Sequence, residues 1–219
     1  MNTQRMNGYP MVLEGATERT SSLLGKVLGI TSLGFLATAV GVATAPPWGM
    51  FIGFITVLAL VFAIQLAKKA SPVAALGMFL LLGYFMGWEI GPLIHRYVAT
   101  IGPAVVFQAA ATTALGMAAM GCIAYLFTID YRRIAGVGMA GLLVLILAGI
   151  ASMFFHLMSP DTYSWLTLVV FTLLTVADFA RIRAGGNGQR ATVLALTIYL
   201  DGINIFLAVL QLMGGRRRD

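Results

Sequence analysis

Along most of this chain, apolar residues run on without the alternation of a half-buried strand or the single apolar stripe of a soluble helix. Seven such runs stand out: Leu23–Ala45, Trp48–Leu66, Pro72–Ile94, Pro103–Thr128, Ile134–Leu157, Thr162–Arg181 and Ala191–Met213. Each comes close to the ~20 residues a helix needs to cross roughly 30 Å of hydrocarbon. Pro46-Pro47, Ser71-Pro72, Gly102-Pro103 and Ser159-Pro160 punctuate the boundaries, where helices can stop without stranding backbone groups in lipid. The connections are short. The pattern predicts an all-α integral membrane protein, a single seven-transmembrane-helix bundle over residues 23–213. Residues 1–22 read as a polar cytoplasmic tail and 214–219 as a basic one. A signal peptide would end in a cleavage site of small residues; here six more apolar runs follow the first, which reads as a retained helix.

Composition strengthens this picture. The chain is 59% hydrophobic and 10% charged, against about a quarter charged in soluble domains, so its 219 residues leave no room for a separate soluble unit. The net charge of +6 does not point to nucleic acid, because the basic residues fall in short segments between the apolar runs. Lys68-Lys69, Arg132-Arg133 and Arg181/Arg183/Arg190 lie on one side if the amino terminus is cytoplasmic, opposite His95, Arg96 and Asp161. That asymmetry predicts a cytoplasmic amino terminus, although seven crossings put Arg216-Arg217-Arg218 outside. Cys122 is the single cysteine, so no internal disulfide can form and a thiol-metal site lacks partners. Small residues four apart (Gly25/Gly29, Gly49/Gly53, Gly83/Gly87/Gly91) predict close helix contacts.

Candidate chemistry lies in the polar residues inside the spans. Asp178 falls about one turn inside the end of the sixth run, and Asp201 lies ~15 Å into the seventh. A carboxylate at membrane depth usually marks a substrate, ion or proton path. A short turn joins the two helices, making them antiparallel neighbours with both acids in the same half of the membrane. Thr197 and Asn204 share a face with Asp201, and Thr175 and Arg181 share one with Asp178. A plainer reading pairs Asp178 with Arg181 at the interface. Asp201 has no basic residue within two turns of its own helix. Glu89 is rotated roughly 200° from Gly87, and is either a pathway acid or an interfacial one with Arg96 as counter-charge. His95 and His156 are not placed for a haem or metal site.

Several activities are excluded. A retinal Schiff base needs a lysine in the last span, and the lysines are Lys26, Lys68 and Lys69. No serine and histidine sit at shared depth for proteolysis, and no phosphate-cradling loop follows a strand. Neither an enzyme nor a bound cofactor is expected.

The run Ala195-Leu196-Thr197-Ile198-Tyr199-Leu200-Asp201-Gly202-Ile203-Asn204-Ile205-Phe206-Leu207 resembles the last-helix signature of the Bax inhibitor-1 family, and Thr175-Val176-Ala177-Asp178 resembles the end of its sixth helix. With the seven-run layout, the resemblance covers nearly the whole chain and suits a bacterial member in the inner membrane. It implies a protein that passes calcium down its gradient, with Asp178 and Asp201 sharing a proton as a pH latch and touching calcium in transit. Three departures are visible: Ala177 stands where the family commonly has tyrosine, Trp48–Leu66 has no acid, and Lys68 or Lys69 replaces an arginine as the nearest cation there. Lysine would hold a carboxylate without the bidentate fork of arginine. Glu89 is a possible additional or replacement acid. Beside a calcium or cation leak through the lipid bilayer, the resemblance also allows a regulator that binds another membrane protein, such as an ATP-dependent membrane protease. A proton-coupled transporter would usually show repeats or broken helices; no repeat is evident.

Overall fold

A computed structural model describes residues 10–66, 71–155 and 158–215. Seven α-helices follow one another: α1 (Pro10–Ala43), α2 (Gly49–Leu66), α3 (Pro72–Ile101), α4 (Pro103–Leu126), α5 (Tyr131–Phe155), α6 (Pro160–Arg183) and α7 (Ala191–Gly215). The seven-helix expectation holds. Six of these helices contain spans long and apolar enough to cross a membrane, while α2 offers the shorter apolar stretch Gly49–Gln65, about 26 Å at helical rise.

Local chemistry sets most boundaries. Ser71 caps α3 by accepting from the Ala74 amide at 3.1 Å, and Ser159 caps α6 by accepting from Thr162 at 3.2 Å. Each cap precedes a proline at the first helical position, where a missing N–H costs nothing. Between α6 and α7, Gly185, Gly186, Asn187 and Gly188 all have positive φ. Gly-Gly-Asn-Gly is the composition such a reversal requires, and it folds α7 back along α6.

Several helix limits differ from the hydropathy pattern. α3 does not stop near Ile94 but runs through Pro92 to Ile101, so His95 and Arg96 lie on its last turns, not in a loop. Gly91, lacking a Cβ, eases the clash of the proline ring with the residue before it. α5 starts at Tyr131, which places Arg132 and Arg133 in its first turn; Asp130 pairs with Arg133 at 3.0 Å. α1 begins at Pro10 and takes in much of the segment read as a polar tail.

Two of the three glycine pairs or triplets mark contacts. Gly83, Gly87 and Gly91 face Gly34, Thr38, Gly41 and Ala45 of α1 and its end, and Gly53 meets the backbone of α3 at Phe85 and Glu89. Gly25 and Gly29 do not: a Cβ on either would meet open space, because α1 turns that side outward. α7 is the hub, packing against α6, α4, α1 and α3, whereas α5 leans chiefly on α6 and α2 on α3. Leu194, Leu196, Ile198, Tyr199 and Leu210 on α7 are fully buried. Large apolar side chains such as Phe51, Phe107, Leu147 and Val169 point outward, as expected for a surface that meets lipid.

Candidate functional site

The α6–α7 seam brings together the residues singled out in the sequence. Asp178, Asp201 and Thr175 are 8%, 5% and 0% exposed. Asp201 Oδ2 lies 3.3 Å from the Thr175 hydroxyl, which also donates to the Phe171 carbonyl at 2.7 Å. Asp178 forms an ion pair with Arg181, one turn along the same helix, and faces Thr197 across the seam. The supporting roles are therefore exchanged relative to the same-helix expectation: Thr175 serves Asp201, and Thr197 stands opposite Asp178. Antiparallel register explains this, since one turn forward on α6 is one turn back on α7. The two carboxylates are close enough to act on each other electrostatically, and Arg181 acts on both.

Arg181 is the counter-charge that the structure supplies. Lys68 and Lys69, proposed for that role from the sequence, lie outside the described residues, as does His156. Arg183 is a structural cap: it donates to the carbonyls of Ala124 and Phe127 at 3.1 and 2.7 Å, closing the end of α4. Tyr131 reaches across from α5 to donate to Asn187 in the α6–α7 turn at 2.9 Å. This end of the bundle is thus pinned around the seam.

Asn204 does not bind Asp201. Its amide donates to the Leu200 carbonyl at 2.8 Å, and its side chain lines a cavity further along the seam with Ser164, Thr167 and Gln211. Glu89 does not join the pair either. It sits half-buried on α3 beside α2, and the group that senses its charge is Tyr199. Among the described residues it has no ion pair with Arg96 or any other cation, so the counter-charge reading fails: on a continuous α3, Arg96 lies about two turns away. No group of three or more His, Cys, Asp or Glu side chains capable of holding a metal occurs among the described residues. Calcium ordinarily takes six to eight oxygens, more than Asp178, Asp201 and Thr175 could supply.

Sequence reading passed over two features. Tyr199 is fully buried, 2.6 Å from the Thr38 hydroxyl and stacked on Phe35 and Phe79, which fastens α7 to α1 and α3. The second is the length of the polar stripe: beyond Thr175, Asp178, Thr197, Asp201 and Asn204, whose shared faces are legible in the sequence, Ser164 and Thr167 on α6 and Gln211 on α7 fall on the same faces. Steps of three and four along each helix are the signal that could have revealed the full stripe.

With that geometry in place, comparison with known proteins becomes specific. The family described as inhibitor of apoptosis-promoting Bax1 matches residues 20–218. The chain belongs to this family. The resemblance of its last helix to the Bax inhibitor-1 signature therefore reflects membership along nearly the whole chain. An uncharacterized protein of Borreliella burgdorferi is 31% identical over 91% of this chain and 94% of its own length. The protein named modulator of FtsH protease YccA, from Escherichia coli, is 28% identical over 91% of this chain and 90% of its own. An uncharacterized membrane protein of Streptococcus pyogenes is 28% identical over 72% and 70%. Family membership and the spans together identify an integral membrane protein.

Proposed function

We propose that this Bax inhibitor-1 family member is a pH-sensitive leak for calcium or similar cations, latched by Asp178 and Asp201. The observation that carries the reading is the buried seam in which two carboxylates, two threonines and one arginine face one another across α6 and α7. A hydroxyl has a single proton. If the Thr175 hydroxyl keeps donating to the Phe171 carbonyl, the contact with Asp201 closes only when that carboxyl is itself protonated. Once Asp201 is ionised, the hydroxyl must choose between the two, while a second negative charge stands opposite Asp178. Repulsion between two carboxylates in a buried seam favours separation of the helices, and the freed oxygens are hard ligands suited to calcium.

The sign follows directly. Protonation holds the seam closed, so flux rises as the pH increases. The Asp201→Asn substitution would mimic a permanently protonated side chain. Calcium flux into proteoliposomes at acid and neutral pH tests this with Asp201→Asn and Asp178→Asn beside the parent. The expected result is a parent flux higher at neutral pH, with Asp201→Asn low and flat across the range. Parent-like flux and pH dependence in Asp201→Asn, at equal protein per vesicle, would remove the latch.

A second reading is favoured by one finding: the Escherichia coli relative is named as a modulator of the FtsH protease. On that reading this chain binds a membrane-anchored ATP-dependent protease. Because α1 already includes Pro10, a truncation that preserves the helix removes residues 1–9. Loss of protease capture with flux intact would assign the tail to partner binding and leave the leak separate.

A further inference from the structure

Beyond the aspartates, the α6–α7 seam opens into a cavity of about 230 Å³, walled on its third side by α5. Its polar lining comes from Tyr163, Ser164, Thr167, Asn204 and Gln211, with Phe171 at the end nearer Asp201. Gln211 also lines a neighbouring cavity of about 320 Å³ that contains the exposed carboxylate of Asp161. That carboxylate lies beside Gly215, the last residue of α7. Residues 161 to 178 on α6 cover about 26 Å, close to the hydrocarbon thickness of ~30 Å. One polar stripe therefore follows the seam from the far mouth to the latch.

The hydroxyl protons in this lining are already committed. Tyr163 donates to the Leu145 carbonyl at 3.3 Å, Ser164 to Pro160 at 3.0 Å and Thr167 to Tyr163 at 2.9 Å. Asn204 gives an amide proton to Leu200 at 2.8 Å. What the three hydroxyls can still offer the cavity is oxygen lone pairs, and Asn204 keeps its carbonyl oxygen and one amide proton. The Gln211 amide adds a carbonyl acceptor and an NH2 donor to the same wall. The acceptor oxygens of the lining suit a hard cation, and the carboxylate at its mouth sets the preference against an anion.

We propose that the α5–α6–α7 cavity is a vestibule that receives a partly hydrated cation from the Asp161 side, with Phe171 separating it from Asp201. The inference rests on the leak reading for its purpose, but the vestibule can be tested without measuring flux. The chain is stripped of its exposed cysteine by Cys122→Ala, and Asn204→Cys is introduced. The full protein is placed in nanodiscs, which leave both faces open to reagent. Rates of modification by cationic and anionic water-soluble methanethiosulfonates of similar size are then compared. We expect the cationic reagent to react at least about tenfold faster, and millimolar calcium to slow it. The outward-facing Val169→Cys control should remain unmodified by both reagents.

If Asn204→Cys does not fold, Gln211→Cys reports on the same space from the wall shared by the two cavities. Thr167→Val, which removes one lining oxygen at constant shape, should weaken the protection by calcium. Equal rates for the two reagents, or no modification of a folded variant, would overturn the vestibule even if the protein leaks calcium. Cation-selective, calcium-protected modification in a protein with no flux would keep the vestibule and refute the leak.

Discussion

α5 and α7 are both long apolar helices, yet they lead opposite lives in the bundle. Of the most apolar window of each, 11% is buried in α5 and 67% in α7. In lipid, an apolar side chain is about equally content against acyl chains or against another helix, so hydropathy decides that a segment spans without deciding what it touches. What draws α7 inward is its exceptional residues. Tyr199 needs the Thr38 hydroxyl, Asp201 needs Thr175, and Gly202 permits close approach to Phe35 and Met117. α5 has few such obligations. Leu143, Val144, Leu147 and Ile150 face outward, and Gly138 and Gly141 lie against Leu174 and Val170 of α6.

The sharpest way to break this comparison is to make the same truncation in both helices. Leu196→Ala, at a fully buried site, should cost about 2–5 kcal/mol by leaving a cavity. Leu147→Ala, at a site 58% exposed, should stay within about 0.5 kcal/mol. Equal losses in thermal or denaturant unfolding in detergent would mean that α5 is not peripheral.

A smaller effect separates the two kinds of glycine. A Cβ at Gly87 would run into the Thr38 carbonyl and the Val42 amide, whereas one at Gly25 would meet nothing. Gly87→Ala should lower stability by about 1–3 kcal/mol, measured against a Gly25→Ala variant that is neutral or slightly stabilising through helix propensity. The gentlest probe is Tyr199→Phe, which deletes one hydrogen bond and keeps the ring stacking. It should cost about 0.6–1 kcal/mol, and Thr38→Val in the same background should add less than it does alone, since only the bond from Thr38 to its own Gly34 carbonyl at 2.9 Å is then left to lose.

How much of the site could be read in advance varied with the kind of interaction. Asp178 and Asp201 were conspicuous as acids within apolar runs, and the short connection already made their helices antiparallel. The partner of each acid was not legible, because a hydroxyl one turn away on the same helix competes with one on the neighbouring helix. Register across the seam chose the neighbour for Asp201. Asn204 illustrates the same limit: three residues from Asp201, it turns to its own backbone and to the cavity. Glu89 marks a further limit, since the rotation of α3 relative to α1 and α2 decides its company.

By itself, the sequence determined that this protein resides in a membrane, that it crosses as helices, where most of those helices begin, and that each of the last two carries an aspartate at membrane depth. Those properties follow from the free-energy cost of exposed backbone and carboxylates in hydrocarbon, which is local and can be read residue by residue. Only the tertiary structure decided that α7 is the hub, that the threonines serve each other's aspartates, that α3 runs through Pro92 and that the polar stripe opens into a cavity. Those outcomes depend on which faces meet and at what register. In lipid, small residues and hydrogen bonds settle that through close packing, where hydropathy offers no preference.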